Sequence, residues 1–265
     1  MSSNTVRVSF DGPVALVTLS DPSTMNAASI EMAQELTAAL TQCVETEGVR
    51  VVVLTGEGRG FCSGANLSGT GPARELDEDG KPDAGAALEA FYNPLVTRIR
   101  ELPVPIVTAV NGAAAGVGCS LALLGDIIIA AESAFFLQAF TRIGLVPDGG
   151  STYLLPRMIG RARAMEMTLL AERLPARKAL EWGLINRCVP DAELMTAAMD
   201  MAKRLAAGPK ALGMTRRLMW DSLESDWKAQ LHSERQAQRV AGKTRDFAEG
   251  VTAFREKRPA AFSGR

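Results

Sequence analysis

Two largely apolar runs rich in β-branched residues, each emptying into a glycine-rich bend, constrain this chain more than any other feature. Residues 50–55 (RVVVLT) lead into 59–67 (RGFCSGANL), and residues 105–110 (PIVTAV) lead into 111–118 (NGAAAGVG). A strand without polar alternation needs cover on both faces, as in a parallel sheet flanked by helices. The glycines after each run allow a sharp bend and leave main-chain N–H groups outside any ladder. The flanking segments agree. Residues 6–10 and 14–19 alternate around Asp11-Gly12-Pro13 as a hairpin, and Ser29 caps a helical run with Ile30, Ala33, Leu36, Leu40 and Val44 at helical spacing. A helix over 86–101, a buried helix over 117–124 and strands at 126–131 and 134–137 complete an α/β pattern of strand, glycine turn, helix and strand.

Beyond about residue 191 the strands stop, and four helices are expected at 192–207, 209–222, 224–241 and 244–257. This divides the chain into a core at 1–190 and a helical segment at 191–265. Met214, Met219, Trp220 and Trp227 in those helices suit either a subunit interface or burial within the chain. Residues 69–85, rich in Gly, Pro and acids, have little to bury and read as a mobile loop that could serve as a lid.

With Lys+Arg 29 against Asp+Glu 30, a net charge of -1 gives no overall field to recruit nucleic acid or an anionic membrane. The apolar stretch at 121–131 is broken by Gly125 and Asp126, too short to span a bilayer. Residues 1–11 lack the basic and apolar regions of a secretory signal. Cys43, Cys62, Cys119 and Cys188 are scattered, which fits reduced thiols and indicates no metal site. A soluble, cytoplasmic protein is expected. His232, the single histidine, lies in a polar helical stretch, so a Ser-His-Asp arrangement is poorly supported.

The two bends together resemble the paired signatures of the enoyl-CoA hydratase/isomerase, or crotonase, family, F-x-[AS]-G-[AG]-[DN]-L and N-G-x-x-x-G-x-G. The resemblance extends to Asn26-Ala27, to 143–147 (IGLVP), to 179–185 (ALEWGLI) and to 254–259 (FREKRP). It implies a crotonase-type spiral of ββα units with a helical C-terminal trimerisation segment, assembled as a homotrimer or homohexamer. It also implies an acyl-CoA thioester substrate and no separate cofactor, coenzyme A being part of the substrate. Ala65 and Val117 would offer their N–H groups to the thioester oxygen as it gains enolate charge, with Val117 standing where relatives usually carry glycine. Met25, Asn26, Ala27 and Leu67 would lie along coenzyme A, and Phe254 and Lys257 resemble residues that reach its nucleotide end, often from a neighbouring subunit. Read without the family, Lys257 is a solvated charge.

Hydratases of this family use two glutamates. Here the corresponding positions are Ser120 and Phe140, and neither can deprotonate a water. An acid stands instead at Asp148, in GLVPDGGSTYLLPR. Read from the residues alone, Asp148 is a helix cap accepting from Gly150 or Ser151. The resemblance implies a proton shuttle, as in isomerases of the dienoyl-CoA and phenylacetate-pathway epoxyacyl-CoA types. Phe136 and Phe140 nearby would raise its pKa by desolvation. The expected activity is therefore enoyl-CoA isomerisation, with a hydratase or an inactive acyl-CoA binder as the alternatives.

Overall fold

The computed structural model describes residues 4–66 and 76–265. Its hairpin joins β1 (Val6–Asp11) to β2 (Val14–Leu19), with Val8 opposite Val17. From β2 the chain crosses through α1 (Ile30–Glu45), whose first turn is capped by the Ser29 hydroxyl accepting from Met32 N. The stripe Met32, Leu36, Leu40 and Cys43 goes under, and β3 (Val51–Gly56) then pairs parallel to β2, buried along its whole length. Each such Val or Leu contributes about 1.5–3 kcal/mol on burial, so the unbroken apolar run selects the centre of the sheet. With β5 (Ile106–Val110), β7 (Ile127–Ala131) and β10 (Arg187–Val189) the six-stranded order is β1-β2-β3-β5-β7-β10. Its only antiparallel pair is the hairpin.

A second sheet runs β4-β6-β8-β9, made of β4 (Gly60–Cys62), β6 (Ala113–Ala115), β8 (Phe135–Leu137) and β9 (Leu174–Pro175). Each of β3, β5 and β7 thus passes from the first sheet to a short strand of the second, the repeating turn of a crotonase spiral. Two of these short strands correct the sequence reading, which took 60–62 and 113–115 as parts of glycine bends. Strands of three residues, rich in Gly and Ala, carry no period and no β propensity by which to be seen.

Past β6 comes α3 (Val117–Leu123), every residue of which is buried. The expected helix over 86–101 forms from residue 86, but it carries a π-helical turn, Leu88–Tyr92, ahead of α2 (Asn93–Arg100). Then α4 (Ser151–Leu170) is interrupted at Gly160 (φ 77°, ψ 158°), and α5 (Ala176–Trp182) precedes β10. The Met and Leu positions at 165–170 are mostly outward. Met167 is buried, whereas Met165, Leu169 and Leu170 are exposed.

The first C-terminal helix, α6 (Leu194–Ala206), lies against β3, β5 and β7 through Leu194, Ala198, Ala202 and Ala206. Next, α7 (Ala211–Ser222) is fastened to the core by Arg216. That guanidinium pairs with Asp126 at 2.6 Å and donates to the carbonyls of Ile99, Arg100 and Leu102, while Trp220 Nε1 donates to Asp126. Trp220 is thereby turned inward, while Met219 on α7 and Trp227 at the start of α8 (Trp227–Ala241) stay exposed. The chain closes with α9 (Arg245–Glu256) and a tail folded back on it. No helix among the described residues is long and apolar enough to cross a membrane.

Candidate active site

The parallel pairing of β4 with β6 brings the two glycine bends together. A Cβ placed on Gly64 would sit 3.2 Å from Ala115 O and 4.0 Å from Gly116 Cα, so the backbones pass in contact. Gly116, at φ 52° and ψ −129°, occupies a region only glycine enters readily, donates to Leu137 O at 2.8 Å, and turns the chain straight into α3. Val117 N is then the first amide of that helix, with no carbonyl one turn earlier to receive it.

Ala65 is oriented by a different device. Ala28 forms a parallel bridge with it, in which Ala28 N donates to Gly64 O (2.8 Å) and Asn66 N donates to Ala28 O (3.2 Å). In a parallel bridge the bonded groups belong to residues 64 and 66 on that strand, so the N–H of Ala65 itself points to the opposite side. Ala65 is exposed there.

Asp148 stands over the same end of α3. A Cβ on Gly149 (φ +60°) would come within 2.7 Å of Ser120 Cβ and 3.6 Å of Val117 Cγ2, so this turn is pressed onto the helix. The cap reading fails in a specific way. Ser151 N (3.1 Å), Ser151 Oγ (2.7 Å) and Ser120 Oγ (2.9 Å) all donate to the main-chain carbonyl of Asp148, and no side chain caps α4. Its carboxylate is left free of that work, and Oδ1 is buried without a hydrogen-bond partner. Burial raises its pKa to about 6. Phe140, buried, brings its ring tip to 3.8 Å from a Cβ placed on Gly116, so the place of one hydratase glutamate is apolar. Ser120, at the other, is spent on the Asp148 and Gly116 carbonyls.

Among the residues expected along coenzyme A, Met25 and Asn26 are both left-handed (φ 56° and 57°). The Asn26 side chain is wholly committed to the fold. It accepts from Asp21 N and donates to Glu57 O and Gly60 O, which ties the turn to β4. Ser63 N donates to Met25 O (3.0 Å) and Ala27 N to Thr24 Oγ1 (3.1 Å), so the turn at 24–27 runs beside the first bend. Leu67 lies outside the described residues, as does the start of the 69–85 segment. Residues 76–85 form a small exposed turn with Leu76 bridged to Pro82. Phe254 and Lys257 are exposed at the end of α9, where Lys257 is the left-handed cap.

One neighbour escaped the sequence reading. Tyr92, buried at the end of the π-helical turn, donates its hydroxyl to Ala28 O at 2.6 Å. Burial, then the nearby acids Cys62 and Asp148, push its pKa to about 12. Only its spacing from Leu95 and Ile99 hinted that it would face inward. Cys62 and Cys119, also buried here, are pushed by desolvation to about 11 and about 12, so neither is a thiolate near neutral pH. Two surface cavities, of about 640 Å³ beside α1 and about 440 Å³ under α7, are lined by none of Ala65, Val117 or Asp148.

Comparison with known proteins accords with this geometry. The enoyl-CoA hydratase/isomerase family model matches residues 9–265. The 1,2-epoxyphenylacetyl-CoA isomerase of Escherichia coli K12 is 44% identical over 254 residues, covering 95% of each chain. A Rhodobacter capsulatus protein named "Probable enoyl-CoA hydratase" is 45% identical over 266 residues, 100% of both. The crystal structure of enoyl-CoA hydratase from Bacillus anthracis superposes with a TM-score of 0.90 at 31% identity, over 98% of this chain and 100% of that one. With its spiral, its paired bends and these matches along nearly its whole length, the chain belongs to the enoyl-CoA hydratase/isomerase family.

Proposed function

We propose that this protein is an enoyl-CoA isomerase that moves a double bond by a one-carboxylate proton shuttle through Asp148. The observation that carries the reading is a buried carboxylate oxygen without a partner, raised to about 6, beside the first turn of α3. Such a group is an effective base near neutral pH because it is mostly ionised there yet still basic. In this reading the N–H groups of Ala65 and Val117 hold the thioester oxygen. Each preorganised donor contributes on the order of 3 kcal/mol as negative charge develops there. Asp148 takes a proton from the α or vinylogous γ carbon, the electron pair enters the dienolate, and the same carboxyl returns the proton at the other carbon. No other atom is gained or lost.

The substrate is an enoyl-CoA or a ring-derived acyl-CoA, a reading supported by the similarity to the E. coli epoxyacyl-CoA isomerase. Coenzyme A runs along Met25–Ala27 and Leu67. Exposed Phe254 and Lys257 serve the nucleotide end from a neighbouring subunit of a trimer or of a dimer of trimers. Hydration is disfavoured because Ser120 and Phe140 cannot activate water.

The test is incubation with 3-enoyl-CoA and 2-enoyl-CoA in deuterated water, followed by mass. Interconversion of the two isomers, separated by chromatography, is expected, with deuterium entering only as far as the proton held on Asp148 exchanges with solvent before its return. A gain of one water makes the protein a hydratase, and silence with retained binding makes it an acyl-CoA binder.

A further inference from the structure

The donor at Ala65 is held at one remove. Ala65 has no side chain that could lock its peptide plane; its orientation is inherited from the pairing of Ala28 with Gly64 and Asn66. The carbonyl of Ala28 receives two bonds, from Asn66 N at 3.2 Å and from Tyr92 OH at 2.6 Å, and the second is much the shorter. Tyr92 reaches it from far along the chain. Its ring continues the buried face of α2 formed by Leu95 and Ile99, while Glu89 and Ala90 on the same π-helical turn are exposed. A π-turn adds a residue to the helical repeat and so swings one side chain to a new heading, a feature frequent at functional sites. Here that side chain is Tyr92, which ends on the strap at Ala28.

We propose that Tyr92 is a positioning residue for the thioester carbonyl: its hydroxyl pins Ala28, and through the Ala28–Ala65 bridge it aims the Ala65 N–H at the oxygen. Loss of the hydroxyl leaves Ala28 O with the longer bond alone, and the peptide of Ala65 gains freedom in the one direction that matters. This inference rests on the carbonyl-holding role given above to Ala65.

The experiment uses trans-cinnamoyl-CoA bearing a ¹³C carbonyl, which has no γ hydrogen to move, and reads the bound carbonyl stretch by vibrational difference spectroscopy. The full-length protein is compared with Tyr92→Phe and with Tyr153→Phe, which alters the other tyrosine of the chain. The native protein should lower the carbonyl frequency relative to water, Tyr92→Phe should lower it less, and Tyr153→Phe should match the native protein. Turnover of a 3-enoyl-CoA by Tyr92→Phe should fall about tenfold in kcat with KM changed less than twofold, as when an interaction made mainly in the transition state is weakened. If Tyr92→Phe unfolds, 4-fluorophenylalanine at position 92 fills the volume without donating and repeats the measurement. An undiminished downshift in these variants overturns the role of Tyr92 and leaves that of Ala65 standing. No downshift in the native protein, or no binding, overturns both.

Discussion

Two aspartates, one in mid-chain and one near the C-terminus, show what covering a carboxylate oxygen by itself does and does not decide. Asp246, only 2% exposed, accepts from Lys210 N, Ser263 N and Gly264 N and from the Ser263 hydroxyl. Burial works to raise its pKa, but these donors outweigh it and the carboxyl lies below its ordinary 3.8. Asp148 is half-buried with its Oδ1 covered, yet its neighbours Ser120 and Ser151 bond its main chain rather than its side chain, and its pKa rises to about 6. The same residue type is thus a clamp where amide donors converge on it and a carboxyl of raised pKa where they do not. Asp246 gathers the tail at 263–265 onto the α6–α7 link. The Asp148 carboxylate gathers nothing, all three bonds at that residue going to its carbonyl.

The contrast can be broken most decisively at the base. Asp148→Asn should lower isomerisation by about a thousandfold, the usual scale for a lost proton-transfer group, while the Kd for an acyl-CoA measured by calorimetry stays within a few-fold; near-native turnover would remove Asp148 from the mechanism. Next in size is the clamp. Asp246→Ala leaves three amide donors unpaired and should cost about 3 kcal/mol in urea unfolding, with kcat per folded molecule unchanged.

The two acids should also titrate with opposite sign. A depressed pKa stabilises the fold above the ordinary carboxylate range, so the contribution of Asp246 is lost as pH falls below about 4. A raised pKa does the reverse. The folded state holds the Asp148 proton more tightly than the unfolded chain does, so stability is lost as pH rises from about 4 to above 6. Asp148→Asn should therefore be the more stable protein at pH 8, by on the order of 1 kcal/mol after solvent screening is allowed for. That gain should vanish near pH 4, and equal melting curves at both pH values would refute the burial of this group. The subtlest effect is kinetic: kcat/KM should climb with pH through an apparent pKa near 6, and the limb should disappear in the residual activity of Asp148→Asn.

Much of this was legible in the residues. The runs 50–55 and 105–110 gave the central strands, because an apolar β-branched stretch has nowhere else to go. The two glycine bends located the candidate carbonyl site, since the need for positive φ at Gly64 and Gly116 is written in the residue type. Other features carried no local signal. Strands β4 and β6 are too short and too small in side chain to show a period. The π-helical turn that carries Tyr92 looked like the start of an ordinary helix, and Tyr92 finds its partner 64 positions away.

Sequence by itself determined the family, the α/β spiral, the absence of glutamate at 120 and 140, and the presence of an acid at 148. Tertiary structure alone decided what that acid is free to do. A cap and a base are the same aspartate with donors on different atoms, and whether Ser151 reaches the carbonyl or the carboxylate depends on how the Gly149 turn is pressed against Ser120 and Val117. Contacts between segments some thirty residues apart set that outcome, and no pattern local to the chain encodes them.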